Sequence, residues 1–96
     1  MRIQLSKFGN ILISRQAGRE AFAALQSQIN TIQNNENLEV DFEGVIIFSP
    51  SWADEFLSPL LKQFQDRLIL INLTNPSVIA TLELLEKIHT RPFKRQ

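Results

Sequence analysis

The fold of this chain is constrained most by its short runs of β-branched and other apolar residues, which alternate with helical patterns. Residues 45–48 are apolar throughout, and residues 67–73 are nearly so. Such runs are typical of strands buried on both faces of a sheet. Each run is followed by a stretch of helical periodicity, and residues 15–34 form another such stretch. Strand–helix alternation predicts an α/β fold with a mostly parallel sheet and right-handed crossovers.

Helix starts are predicted from capping residues. Ser14 is suited to cap the first helix, over residues 15–34, because its hydroxyl can accept a free backbone N–H. The second helix is predicted to start at Ser51, since Ser51 and Asp54 form a Ser-x-x-Asp signature. Asn75, which precedes a proline, is predicted to cap the third.

Pro59 lies within the apolar pattern of the second helix. Two interpretations stay open from the sequence. Pro59 either kinks one helix, because it removes a backbone hydrogen bond, or starts a second short helix after Ser58.

The opening residues predict a β-hairpin. Ile3 and Leu5 alternate with polar residues, as in a half-buried strand. Gly9-Asn10 is a turn dipeptide, and residues 11–13 form a second short apolar run.

These elements predict one domain over residues 1–96, with the order β-β-α-β-α-β-α. The sheet is expected to have four strands, with residues 45–48 at its centre. The basic residues 91–96 are expected to fray. The side chains predicted to be mostly buried are Phe22, Leu25, Val45, Ile47 and Leu70.

Composition excludes several classes of protein. Ten Lys and Arg balance ten Asp and Glu, which argues against a dedicated nucleic-acid binder. No apolar run approaches the ~18 residues of a membrane span. The chain has no cysteine and a single histidine, His89, so neither a disulfide nor a metal site is expected. No cofactor-binding motif is present, and a cytoplasmic location is predicted.

Acidic residues are concentrated in the middle of the chain. Residues 20–61 contain seven acids and no base. One interpretation is an acidic surface that steers a basic partner. The alternative is a set of solvated faces without a partner.

Three segments resemble a known family in order and spacing. Residues 41–45 (Asp-Phe-Glu-Gly-Val) resemble the central strand of STAS domains, the anti-sigma-factor-antagonist fold. Residues 9–15 contain Gly-x-x-x-x-Ser-Arg, and residues 49–55 read Ser-Pro-Ser-Trp-Ala-Asp-Glu. Together they resemble the STAS-like family of unknown function over nearly the whole chain.

The resemblance implies a binding module rather than an enzyme. STAS domains of sigma-factor pathways dock onto a GHKL-type ATPase, a kinase that phosphorylates a Ser or Thr at the start of the helix after the central strand. The usual acceptor position falls on Pro50, which has no hydroxyl, so Ser51 is the candidate phosphoacceptor. The residues implied to bind the partner are Ser49, Pro50, Ser51, Trp52, Asp54 and Glu55.

Each of these residues also has a plain structural interpretation. Ser51 is suited to an N-cap, Asp54 and Glu55 to the first turn of a helix, and Trp52 to the core. A runner-up function is binding of a small ligand, a nucleotide or lipid, near the strand ends. A remote alternative is a hydrolase built from Ser51, His89 and an aspartate, although no nucleophile-elbow sequence is present.

Overall fold

The computed structural model describes residues 1–33 and 35–96. Two 3₁₀ turns, Leu5–Phe8 and Gln65–Arg67, accompany the regular elements. The strands are β1 (Arg2–Gln4), β2 (Ile11–Leu12), β3 (Leu38–Asp41), β4 (Ile47–Phe48), β5 (Leu68–Ile71) and β6 (Lys94–Arg95), and the helices are α1 (Arg15–Ile29), α2 (Pro50–Phe64) and α3 (Pro76–His89).

The main sheet has four strands in the order β1-β3-β5-β6, and every pair is parallel. This confirms the predicted α/β class with three helices and a mostly parallel four-stranded sheet. The central strands are β3 and β5, which pair from Leu38 opposite Leu68 to Asp41 opposite Ile71.

One face of this sheet carries the core. Along β3, Leu38 and Val40 are fully buried, whereas Glu39 between them stays partly exposed. In β5, Leu68 and Leu70 are buried, and Ile69 is partly exposed. On the other face Asp41 and Ile71 are buried at the strand ends, so burial is heavier on one face but not confined to it. Residues 45–48, which were expected to be buried on both faces, leave Ile46 and Ile47 exposed, so that prediction is wrong.

Residues 45–48 are not the centre of the sheet, and that prediction is wrong. Only Ile47–Phe48 are extended, and they pair in parallel with β2 in a separate two-stranded sheet. Gly44 precedes them with a φ of 87°, a left-handed conformation that favours glycine and turns the chain out of β3. Ile47 is 43% exposed, although Val45 is buried as expected.

Side chains of α3 complete the hydrogen bonding of β4. The Phe48 N–H donates to Ser77 Oγ at 3.1 Å, and the Thr81 hydroxyl donates to the Phe48 carbonyl. A helix, rather than another strand, therefore occupies the edge of β4 opposite β2.

The predicted N-terminal hairpin is also wrong. β1 pairs with β3 and β2 pairs with β4, so the two opening strands belong to different sheets. The intervening 3₁₀ turn buries Leu5 completely and redirects the chain.

α1 begins as predicted and ends early. The Ser14 hydroxyl accepts the Ala17 N–H at 3.0 Å, which confirms the cap. The helix ends at Ile29, because Thr31 and Ile32 form tight bonds to the carbonyls three residues before them. The predicted end at Asn34 lies outside the described residues. Within α1 Leu25 is buried as expected, whereas Phe22 is only partly buried.

α2 is one continuous helix that includes Pro59. The interpretation in which Pro59 starts a second short helix is therefore wrong. α3 is capped by Asn75, whose side chain accepts the N–H groups of Ser77 and Val78, as predicted. In the described part of the chain, no helix combines the length and the apolar character needed to cross a membrane.

Residues 91–96 do not form the frayed tail that was expected. Lys94–Arg95 add to β5 as an edge strand, and Phe93 is 4% exposed within the core. The Phe93 N–H donates to Glu86 in α3, and Arg95 forms an ion pair with the same carboxylate at 2.6 Å.

Candidate functional site

The hydroxyl that caps α2 belongs to Ser49, so the prediction of Ser51 as the cap is wrong. Ser49 Oγ accepts the Trp52 N–H at 3.2 Å and donates to the Ile13 carbonyl at 2.7 Å. Pro50 follows at the first helical position, where its missing N–H costs no hydrogen bond. Ser51 lies in the first turn with its side chain half-buried.

Trp52 anchors α2 in the core, which confirms one of its two interpretations. Its side chain is 1% exposed, and its ring stacks on Phe56 with centroids 4.9 Å apart. Phe48 packs against the other side at 5.8 Å. The half of α2 that follows Ser49 is therefore firmly held, and its outer face is positioned by a buried inner face.

Asp54 and Glu55 lie on that outer face, where arginines of α1 bind them. Arg15 Nη1 lies 3.1 Å from Asp54 Oδ2 and 2.9 Å from Glu55 Oε2. Arg19 Nε lies 2.8 Å from Glu55 Oε1. The acidic surface expected here is therefore neutralised by the chain itself, because the basic N-terminal segment folds onto the acidic one.

These contacts shift the pKa values of Asp54, Glu55 and Arg15. The pKa of Asp54 is lowered, first by the hydroxyl of Ser58 and then by Arg15. The pKa of Glu55 is lowered by its hydrogen bond from Arg19 and further by Arg15. The pKa of Arg15 is raised by its bonds to both carboxylates. Each group is therefore stabilised in its charged form.

Ser58 is a site residue that was not predicted from the sequence, and it contacts His89, which was named only as the histidine of the hydrolase alternative. The Ser58 hydroxyl donates to Asp54 Oδ1 at 2.7 Å, and His89 Nε2 lies 2.8 Å from the same Ser58 oxygen. Because the hydroxyl proton points to Asp54, the imidazole is the donor to Ser58. His89, at the end of α3, therefore links α3 to α2. Ser51, the serine of the predicted triad, is not the one beside it.

An open groove of about 430 Å³ runs over this face. Asp54 and Glu55 line it, whereas the other four predicted partner-binding residues do not. The sequence showed that the lining residues of α2 share one face of that helix. It did not show that α1 and α3 pack beside this face and add lining residues of their own. The lining residues that were not predicted as site residues are Arg19, Phe22, Ser58, Pro59 and Lys62, and His89 was named only for the hydrolase alternative.

Asp41, the acid of the Asp-Phe-Glu-Gly-Val segment, has a structural position. Its side chain is buried, and Oδ1 accepts the Glu43 N–H at 2.9 Å and the Asn72 amide at 2.7 Å. It therefore ties together the ends of β3 and β5. Within residues 1–33 and 35–96, no three His, Asp or Glu side chains are grouped so that they could hold a metal ion.

Comparison with known proteins adds one match. A family model described as a STAS-like domain of unknown function matches residues 20–78, more than half of the chain. Neither the curated proteins nor the solved structures contain a match. The matched region runs from α1 to the start of α3 and includes Asp54 and Glu55. The chain therefore belongs to the family of STAS-like domains of unknown function.

Proposed function

We propose that the chain is a non-enzymatic protein-interaction module whose docking surface is the outer face of α2. The observation that carries this proposal is the groove beside Asp54 and Glu55. Its polar groups stand on helices whose inner faces are buried through Trp52 and Phe56. Because ion pairs also hold these groups in place, a partner would not have to order them, which lowers the free-energy cost of binding.

The proposed partner is a GHKL-type ATPase or sensor kinase of a bacterial or phage regulatory system, acting in the cytoplasm. Two observations support this partner class. Residues 41–45 and 49–55 resemble the corresponding segments of STAS domains that bind such kinases. The chain also belongs to the STAS-like family.

Phosphorylation of Ser51 is the proposed switch. The Ser49 hydroxyl is engaged in capping α2, whereas Ser51 stands in the first turn, three residues before Asp54 and four before Glu55. A phosphate there would repel both carboxylates and would offer strong acceptors to Arg15. Since Arg15 binds both carboxylates, the phosphate would rearrange the charges of the docking face.

The geometry around His89 supports a non-enzymatic role and disfavours the hydrolase. In a hydrolytic triad the imidazole lies between the serine and the aspartate and uses a different nitrogen for each. Here Ser58 and Asp54 both lie on the Nε2 side, at 2.8 Å and 3.9 Å. The Ser58 hydroxyl donates to Asp54 directly, and not to an imidazole that bridges the two groups as in a triad.

The test is a calorimetric titration with a GHKL-type ATPase encoded beside the gene of this chain. A Ser51→Glu variant should weaken binding at least about tenfold, because it would add a negative charge at the edge of the docking face, as a phosphate on Ser51 would. Lys94→Gln, on the opposite edge strand, serves as the control. Incubation with ATP should place phosphate on Ser51, and Ser51→Ala should remove it. Unchanged affinity of the folded Ser51→Glu variant, or phosphate on Ser14, would contradict the proposal.

A further inference from the structure

We infer, on the basis of the proposed docking function, that the groove accepts an acidic segment of the partner, with carboxylates on either side of an apolar side chain. The acidic middle of the sequence suggests the reverse, a basic partner. The contacts within the groove decide between the two.

The carboxylates of the groove are already occupied. Both oxygens of Asp54 accept hydrogen bonds, from Ser58 and from Arg15. Both oxygens of Glu55 do so as well, from Arg19 and from Arg15. A basic segment would have to share these oxygens with donors that are intramolecular and already ordered.

The cations of the groove keep free donors. Among the described residues, Arg19 bonds to Glu55 through Nε alone, and its side chain is 68% exposed, which leaves its Nη groups available to a partner. Lys62 is exposed and, among the described residues, forms no ion pair. Arg19 and Lys62 line the groove and equal its two carboxylates in number. Arg15 also pairs with both carboxylates from α1, so their charges are compensated while Arg19 and Lys62 keep donors for a partner.

Apolar surface separates the two available cations. Phe22 lies three residues after Arg19 on α1, and Pro59 lies three residues before Lys62 on α2. Residues three apart on a helix are neighbours on its surface. Each wall of the groove therefore presents one cation beside one partly buried apolar side chain. This arrangement matches two carboxylates flanking an apolar residue.

Protein fits this pattern better than nucleic acid. A nucleic-acid strand carries phosphates at every nucleotide and is bound by rows of cations. Here only Arg19 and Lys62 offer free donors, and Asp54 and Glu55 lie beside them. A continuous phosphate backbone would meet these carboxylates, whereas spaced carboxylates of a peptide can avoid them.

The test uses three probes: the blocked peptide Glu-Leu-Leu-Glu-Glu-Leu, its counterpart Lys-Leu-Leu-Lys-Lys-Leu, and single-stranded oligothymidylate. Each probe is titrated into the isotope-labelled chain, and changes in the chemical shifts of the backbone amides are followed by NMR. The acidic peptide should shift the amides of Phe22 and Lys62 and should bind more weakly as salt is raised. Lys62→Gln and Arg19→Gln should each weaken it about two- to fivefold, and Lys94→Gln should not.

The outcomes separate this inference from the proposed function. Binding of the acidic peptide in the groove, with the expected loss in both variants, supports the inference. Binding of the basic peptide or of the oligonucleotide there instead overturns it. The absence of shifts with all three probes also overturns it. In each of these cases the ATPase titration still decides whether the outer face of α2 is a docking surface.

Discussion

Gly18 of α1 lies directly against the backbone of Trp52 in α2. A Cβ atom built on Gly18 would stand 2.5 Å from the Trp52 carbonyl oxygen and 3.0 Å from its Cα. These are backbone atoms, which cannot rotate away as the end of a side chain can. The absence of a side chain at Gly18 therefore allows the two helices to touch at this point.

Gly18→Ala should therefore destabilise the chain. Helix propensity alone would favour alanine by up to about 1 kcal/mol. Overpacking at a tight contact typically costs about 1–3 kcal/mol, so we expect a net loss of about 1 kcal/mol, measured by urea unfolding. Ala24→Gly, at an exposed position of the same helix, measures the propensity contribution alone. A more stable Gly18→Ala protein would show that the two helices can separate without cost.

Ser49 and Ser51 should differ sharply in their contributions to stability. Ser49→Ala removes the cap of α2 and the bond to Ile13, and should cost about 1–2 kcal/mol of unfolding free energy. Ser51→Ala removes neither contact and should stay within about 0.5 kcal/mol of the wild type. Urea unfolding of both variants is the measurement. Equal effects would contradict the assignment of Ser49 as the cap.

Phe93 tests whether the C-terminal residues belong to the fold. Phe93→Ala should cost about 3 kcal/mol, because it leaves a cavity in the core beside β5. Pro92→Ala, at the exposed neighbour, should change stability by less than about 0.5 kcal/mol. A thermal melt of each protein distinguishes this result from a frayed tail, for which both variants would match the wild type.

Acid should weaken the contact between α1 and α2. The folded state lowers the pKa of Asp54 and of Glu55, so at low pH the unfolded chain binds more protons than the folded chain. Their contribution to stability is therefore present above about pH 5 and is lost as the pH falls below about pH 4. The melting temperature should drop less between these conditions in Asp54→Asn/Glu55→Gln than in the wild type.

Glu83→Gln, on the exposed side of α3, is the matched control for this pH experiment. It should show the same acid-induced drop as the wild type. If the double variant also shows the full drop, the ion pairs of Arg15 and Arg19 do not contribute to acid stability.

Features that depend on neighbouring residues could be predicted from the sequence. The caps Ser14 and Asn75 act on N–H groups two or three residues ahead, and both were found as predicted. The alternation of strands and helices, together with short connections, was enough for the α/β class. Within the site, Trp52 could be assigned to the core because it begins an apolar helical face.

Features that depend on distant residues could not be predicted in this way. An apolar run such as residues 45–48 does not reveal which strand it pairs with. Here the chain turns at Gly44, and Ile47–Phe48 then pair with β2 in a second sheet. The contact of His89 with Ser58 spans 31 residues of chain. The pairing of Arg19 with Glu55 spans 36 residues. Charge composition therefore predicted an acidic surface that the fold neutralises.

The hydrogen bonds from α3 to Phe48 also bear on the solubility of the chain. Residues 45–48 are a β-branched, uncharged segment of the kind that forms intermolecular sheets. An unpaired strand edge is a template for such aggregation. Because Ser77 and Thr81 occupy the outward N–H and C=O groups of Phe48, a second chain cannot add to β4 there without first breaking both bonds. Two helix hydroxyls thus protect this aggregation-prone segment from joining a fibril through that edge.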